Sequence, residues 1–472
     1  MTLDFATARL QRFLLRAPLL VVILIWLNCP VHLKIGHAAE PASAVVIYRV
    51  RSEVGAEPFS AKLKNETINP RPSDLIAAER FFAAPLTDNK LLTLYDCIHP
   101  LDEFRYFFIS GQKIAEAKLW AADPWMNLAV LQCEVRLPAF QIGAPNKAQE
   151  LHLSPSSMMG ELGVSGELRV VSDRLRTSET FKGLQTTLHN YGQLLGLRSN
   201  PPLLPGAPLL DKSGQLRSIA LGTLSESTSQ DSLCIALDDA AVLAIEAILT
   251  GEPQSYGFLG LEPGNLSDLP TAQGRKGVYV RQVMRHSPAE RAALREENPR
   301  TGEVDLISAM DGELIESTQE LLAKIGRQPF GANISLTIHR GMLGGEKKIF
   351  EAKCVLGKRF VSQDRPPYSQ QPPTMWRGMK VDHYTAIDEY AARARLVDPK
   401  GCVVIVSVDS NSSAWKAGLR PGMFLTKIGE VRVADVAAFT KATGHVNGTV
   451  KVMTTARADG VQLEPQTFEI AP

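Results

Sequence analysis

The 472-residue sequence has little cysteine and no excess of charge of either sign, and its N-terminal apolar stretch is too short to span a membrane. Each shortage excludes a class of protein. The 6 Cys are widely spaced with no CxxC pair, so neither a disulfide framework nor a cysteine-based zinc site is encoded. Lys plus Arg number 51 against 50 Asp plus Glu, and no run of one sign gathers into a patch, so nucleic acid finds no electrostatic footprint. No His, Cys, Asp and Glu stand together at metal-ligand spacing, and nothing calls for a small-molecule cofactor. What remains is ordinary globular protein. The chain is 44% hydrophobic and 21% charged with 35 Gly and 30 Pro, which excludes collagen, coiled coil and wholesale disorder, and its length predicts about two to four domains.

Arg9, Arg12 and Arg16 precede the apolar run Ala17 to Leu27, and small residues follow in Gly36-His37-Ala38. A basic stretch, an apolar core and a small-x-small site form a secretory signal, expected over residues 1–38. The eleven apolar residues fall short of the ~20 needed to cross hydrocarbon, so cleavage is favoured over anchoring. Cleavage would leave five cysteines, Cys97, Cys133, Cys234, Cys354 and Cys402. Each reads as a small buried apolar residue; a Cys97 to Cys133 bridge has no support in the spacing.

From residue 45 to about 250, short apolar runs alternate with turn residues, as in Ser43 to Val50, Leu91 to Ile98, Leu128 to Val135 and Ile219 to Gly222. That patterning predicts an all-β domain. A helix of good formers follows Asp238, with Gly251 placed to stop it. A second block runs over 256–358. The segment 359–374, holding Pro366, Pro367, Pro372 and Pro373 with three glutamines, has the composition of an extended linker. A third block covers 375–472. The second and third blocks are weak internal repeats. Gly277 to Leu294 aligns with Gly401 to Leu419 as strand, polar turn and short helix. Asp305 to Gly312 parallels Met423 to Glu430, each followed by an amphipathic helix, Ser317 to Ile325 and Val433 to Thr443.

These repeats resemble the PDZ domains of bacterial HtrA/Deg proteases. Ser413 to Gly422 reads S-A-x-x-A-G-L-x-P-G, close to the family's S-P-A-x-x-A-G-L-x-x-G-D, and the second block carries Ser287-Pro288-Ala289 and Ala292-Ala293-Leu294. The resemblance implies that an extended peptide adds to a sheet edge while backbone N–H groups of a glycine loop hold its carboxylate. That loop would be Tyr256, Gly257, Phe258, Leu259, Gly260 and Leu261 in the first module. In the second it would be Trp376, Arg377, Gly378, Met379, Lys380 and Val381, where Arg377 and Lys380 alter the loop yet offer charge to a carboxylate. Leu321, Leu322 and Ile325 would line the pocket for the last peptide residue, although any one of them alone reads as core.

The resemblance extends to residues 45–250, which it implies form a chymotrypsin-like double β-barrel, making the whole a mainly β chain. Asp123-Pro124-Trp125-Met126-Asn127-Leu128-Ala129-Val130-Leu131 resembles D-P-x-T-D-L-A-V-L, and Leu92 to Ile98 stands in the place of V-T-N-x-H-V-V. Val170-Val171-Ser172, Leu184-Gln185-Thr186 and Pro205 to Leu210 correspond to the landmarks G-I-V-S, I-Q-T and N-S-G-G-P-L-V. On this alignment Asp96 takes the histidine place, Asn127 the aspartate place and Pro205 the serine place, so nucleophile, base and orienting carboxylate are all lost. Proline also lacks the N–H that one oxyanion donor requires. His99 and His189, the latter near Ser178, are the substitutes at hand, and neither lies in a motif that predicts a nucleophile.

The resemblance thus implies an exported pseudoprotease of the periplasm or cell envelope that binds protein C-termini or extended, unfolded polypeptide and acts as adaptor, scaffold or regulator, with an active HtrA relative as one partner. Alternatives are an active endopeptidase of the same family and a structural envelope protein whose PDZ folds bind nothing. Family members form trimers through an aromatic N-terminal segment; here Tyr48 and Phe59 are the aromatics on offer.

Overall fold

The computed structural model of the chain describes residues 42–51, 75, 78–111, 113–143, 150–153, 174–185, 188–198, 203–223, 231–268, 277–342, 345–371, 374–455 and 464–472. The expected signal, Phe59, the landmark Val170 to Ser172 and the side chain of Ser178 lie outside these residues.

Two closed six-stranded antiparallel barrels open the fold. The first contains β1 (Val45–Arg51), β2 (Glu79–Pro85), β3 (Lys90–Thr93), β4 (Phe104–Ser110), β5 (Lys113–Asp123) and β6 (Leu128–Cys133), in the order β1-β2-β3-β6-β5-β4. The second repeats that order with β7 (Glu150–Leu153), β8 (Arg174–Gln185), β9 (Asn190–Arg198), β10 (Pro208–Leu210), β11 (Leu216–Thr223) and β12 (Asp231–Ala236). Large apolar side chains close the interiors, Leu91, Leu92, Phe108 and Val130 in the first and Leu153, Leu197, Leu209 and Cys234 in the second. The apolar run at Leu91 to Ile98 does not stay extended. It turns at Leu94 into a single helical turn, α1 (Tyr95–Ile98), which presents Asp96 outward while Tyr95 and Ile98 are buried.

Helix α2 (Asp239–Thr250) spans the first barrel's flank. Asp238 caps it, accepting from Ala241 N at 3.0 Å, and Gly251 ends it at a φ of 97°. Its buried face, Ala241, Ala244, Ile245 and Ile248, joins the larger core cluster, each isoleucine contributing roughly 1.5–3 kcal/mol by leaving water.

Two sheet-and-helix modules follow, and their strand orders coincide. The first orders β14 (Leu261–Asn265), β15 (Val278–Val283), β16 (Glu303–Met310), β18 (Asn333–Met342) and β19 (Lys347–Val355), with β17 (Glu313–Leu314) paired to β16. A separate ribbon pairs β13 (Gly257–Phe258) with β20 (Gly357–Lys358). Helices α3 (Pro288–Arg291) and α4 (Thr318–Arg327) complete this module. The second orders β21 (Met379–His383), β22 (Val403–Val408), β23 (Phe424–Ile428), β25 (Val450–Thr454) and β26 (Gln466–Ile470), with β24 (Val431–Arg432) on β23. Its helices are α5 (Tyr390–Arg393), α6 (Ser413–Lys416) and α7 (Val436–Thr443).

The first module is fastened to the barrels. Helix α4 lies against β8 and β9. Trp125 Nε1 donates to Gly326 O at 2.7 Å and Asn190 Nδ2 to Ala323 O at 3.1 Å. Arg327 donates to Asn190 O at 3.2 Å and pairs with the cap residue Asp238. Tyr256 Oη donates to the buried carboxylate of Asp123. The second module is tied to the first by Lys358 and Asp382 at 2.7 Å and by Tyr390 Oη on Arg285 O at 3.0 Å.

Two expectations change here, and the five described cysteines keep the buried, unbridged state read from their spacing. Residues 359–374 are no free spacer, because much of the segment is bonded along the first barrel. Tyr48 is buried with Leu75 and Phe107, so it is not an interface aromatic.

Asp123 gives this docking a pH dependence. Burial pushes its carboxyl up to about 6, and the bonds from Tyr256, Met126 and Trp125 offset only part of that. A folded value above the unfolded 3.8 means the folded chain holds the proton more tightly, so this stabilisation is complete below the unfolded value and lost as pH rises through about 6. We predict that Asp123→Asn gains stability relative to the unsubstituted chain by on the order of 1–3 kcal/mol between about pH 4 and about pH 7. Thermal unfolding across that range checks it, and a constant difference between the two proteins contradicts it.

Candidate functional site

Asp96 and Asn127, which the sequence resemblance aligned with two triad places, meet at the mouth between the barrels. Asp123 Oδ1 accepts from Trp125 N at 3.0 Å and Met126 N at 3.1 Å, folding the loop after β5 so that Asn127 takes a φ of 55°, which asparagine tolerates. Asn127 Oδ1 accepts from Asp96 N at 3.0 Å. Its Nδ2 donates to Asp96 Oδ2 and to Tyr191 Oη, each at 3.0 Å. His189, from the second barrel, brings Nε2 to 3.1 Å from Asp96 Oδ2 while its Nδ1 lies 2.8 Å from Pro124 O. Arg365, from the segment after the first module, pairs with Asp96 Oδ1. Burial pushes the Asp96 carboxyl up, but the hydrogen bonds and charges of His189 and Arg365 outweigh it and bring the group down to about 2.

Such an arrangement holds charge in place. An aspartate at about 2 takes no proton at neutral pH, and each ring nitrogen of His189 has an oxygen partner, Pro124 O or Asp96 Oδ2. Neighbouring Cys97 is buried and its thiol pushed up to about 12, so it carries no thiolate. The third place has other occupations. Pro205 O accepts from Phe82 N at 2.8 Å, and Gly206 N donates to Ala220 O at 2.8 Å. An oxyanion hole would draw on the N–H of the nucleophile and of the residue two before it. The former is absent in proline, and Leu203 N donates to Ser232 Oγ at 3.0 Å. Among the described residues, no group of three or more His, Cys, Asp and Glu could hold a metal ion.

The strap that supplies Arg365 is pinned along its length. Arg359 N donates to Tyr256 O at 2.8 Å, and its guanidinium lies 3.5 Å from the centre of the Trp125 ring. Tyr95 Oη donates to Pro366 O at 3.0 Å, and Tyr368 exchanges two 3.0 Å backbone bonds with Ala122 on β5. Gln370 Nε2 donates to Trp120 O at 2.9 Å. Between strap and barrel a cleft of about 290 Å³ remains beside the Asp96 network.

The two glycine loops are equivalent by hydrogen bonding. Leu259 O accepts from Ala289 N and Gly260 O from Met284 N; Arg377 O accepts from Ala414 N and Gly378 O from Asp409 N. Gly260 and Gly378 both have a φ of 79°, and a Cβ on either would lie 2.3 or 2.2 Å from the Cβ of the helix-capping serine, Ser287 or Ser412. Only glycine fits both demands. The surrounding side chains differ from the ligand-facing placement expected of them. Tyr256 points into the barrel at Asp123, and Gly257 N is taken by Gln328 O at 2.8 Å. Phe258 packs edge-on against Tyr390, 5.3 Å between centroids. Leu259, Leu261, Leu321 and Ile325 are core, Leu322 is half-buried, and β14 offers no N–H at Pro263 to an added strand. In the second module Trp376 packs on Phe439 of α7 at 5.9 Å, and the loop closes on itself through paired bonds of Trp376 and Met379. Arg377 is spent on the chain's own carbonyls, Ile470 O and Gly448 O, and so is not a ready carboxylate receptor. Met379 is fully buried, Lys380 and Val381 half-buried.

No family-level sequence profile matches the chain. Among curated proteins it is similar to a probable periplasmic serine endoprotease, DegP-like, of Chlamydia trachomatis, 23% identical over 424 residues that span 86% of this chain and 77% of that one. It is also 25% identical over 241 residues to the periplasmic serine endoprotease DegP of Salmonella typhimurium, covering 50% of this chain and 45% of that one. Among solved structures, the HtrA-type protease AlgW with decapeptide aligns at 20% identity over 68% of this chain and 97% of that one, with a TM-score of 0.47.

Replacing Asp96 by alanine strips a shared acceptor from Arg365, His189 and Asn127. We expect Asp96→Ala to cost about 1–3 kcal/mol of stability and to expose the strap to trypsin. Unchanged melting together with unchanged cleavage contradicts this.

Proposed function

With the chain's membership of the HtrA/Deg-type family as premise, we propose that it is an exported pseudoprotease, working in the periplasm or cell envelope where its relatives are named as endoproteases. In this reading residues 1–38 direct export. Residues 45–250 keep the double barrel of a protease without its chemistry. Residues 256–358 and 375–472 are PDZ modules for protein C-termini or extended segments, and 359–374 joins them. The chain then serves as adaptor, scaffold or regulator in protein quality control, with an active HtrA relative as one partner; a trimer is what the family resemblance implies.

The observation that carries this reading is the state of Asp96. By the sequence resemblance Asp96 takes the place of the general base and Pro205 that of the nucleophile, and His189 and Arg365 hold the Asp96 carboxyl down at about 2. Chemistry that transfers a proton from serine needs a base of far higher pKa. One feature favours an active enzyme instead, the His189 and Asp96 pair at 3.1 Å, since a histidine oriented by a carboxylate is two-thirds of a triad.

Casein turnover by residues 39–472, run beside labelling with a serine-directed fluorophosphonate, separates the two. The pseudoprotease reading expects turnover at background and no adduct. A specific adduct overturns it, and the labelled serine identifies the nucleophile.

A further inference from the structure

Among the described residues, one cation of the cleft beneath the strap, Arg359, has no acidic partner. Trp125, Leu188 and Phe360 give it apolar walls, Arg359 and Arg365 stand in its lining, and Asp388 sits exposed in water at its rim. Arg365 spends its terminal nitrogen on Asp96. Among the described residues, Arg359 has no such counter-charge. Its guanidinium rests on the Trp125 ring, and burial alone, with no acid to oppose it, lowers its pKa to about 10. The Nε atoms of both arginines are buried without an acceptor. A buried guanidinium donor left unpaired is costly, and a planar carboxylate is the group whose geometry matches it.

We propose that this cleft is a binding site for a carboxylate attached to a small apolar group, with Arg359 receiving the carboxylate and Trp125, Leu188 and Phe360 enclosing the apolar part. About 290 Å³ admits one branched aliphatic side chain and its carboxylate, and excludes a folded domain. Two sources present that chemistry, the C-terminus of a polypeptide ending in an aliphatic residue and a free short branched acid. The site is separate from both glycine loops, and it stands whether or not the chain hydrolyses peptide bonds.

Fluorescence anisotropy on the full exported chain tests this with a fluorescein-labelled tetrapeptide that ends in leucine with a free carboxylate, the same peptide amidated, and isocaproate as competitor. The expected result is binding of the free acid and at least about tenfold weaker binding of the amide. Arg359→Met, which keeps the stack on Trp125 and removes the charge, should weaken binding at least about tenfold. Leu188→Glu at the exposed rim should do the same through repulsion, with its melting temperature unchanged. Competition by isocaproate as potent as the unlabelled peptide assigns free acids as the source; weak competition assigns polypeptide C-termini. Equal binding of acid and amide, or full affinity in both variants, overturns the proposal. Neither result depends on the fluorophosphonate outcome, so failure of this site and failure of the pseudoprotease reading are told apart.

Discussion

One carboxylate joins three distant parts of the chain. Asp96 is held by Asn127 from the first barrel, by His189 from the second and by Arg365 from the strap. A partly buried anion must be compensated, and each partner that does so also fixes the segment it comes from. Arg365 brings Pro366 to Tyr95 and Tyr368 to Ala122, so the strap is laid along β5. His189 ties the mouth of the second barrel to Pro124 on the first. The network around Asp96 is thus what closes the barrels and the strap together.

A second set of bonds governs the first module. Trp125, Asn190 and Asp238 present a donor, a donor with an acceptor, and an anion to one end of α4, which returns Gly326 O, Ala323 O and the Arg327 guanidinium. Tyr256 adds a bond to Asp123, whose carboxyl burial has already raised. The helix that would flank a peptide groove is therefore engaged from outside by the barrels, and Phe258 of the preceding loop is engaged by Tyr390 of the second module. Between the modules the loop backbone is preserved while side-chain use diverges. Gly260 and Gly378 keep the same φ and the same serine contact, yet Leu259 enters its own core where Arg377 reaches across to Ile470 and Gly448. Backbone geometry set by glycine tolerates such change because the hydrogen bonds that define it are made by main-chain atoms.

The locally encoded features were legible. Strands at Val45–Arg51, Leu128–Cys133 and Leu216–Thr223, the helix between Asp238 and Gly251, and the matching strand, turn and helix units after Gly277 and Gly401 all follow from periodicity, caps and glycine placed within a few residues. Asp96 and Asn127 were recognisable as a pair of places, although what they do together was not. His189 stood out by residue type, without its partner. Arg359 and Arg365 were hidden in a stretch whose proline and glutamine read as spacer, because composition reports flexibility of the free chain and says nothing of what the chain lies against.

The sequence by itself determined the elements and their repeat, since these depend on patterns a few residues long. Tertiary structure alone decided that Asp96 faces His189 and Arg365, 93 and 269 residues away, and that Asp123 meets Tyr256 across 133. Charge and burial act through space, so a carboxyl near 2 and another near 6 arise from neighbours that no local pattern specifies.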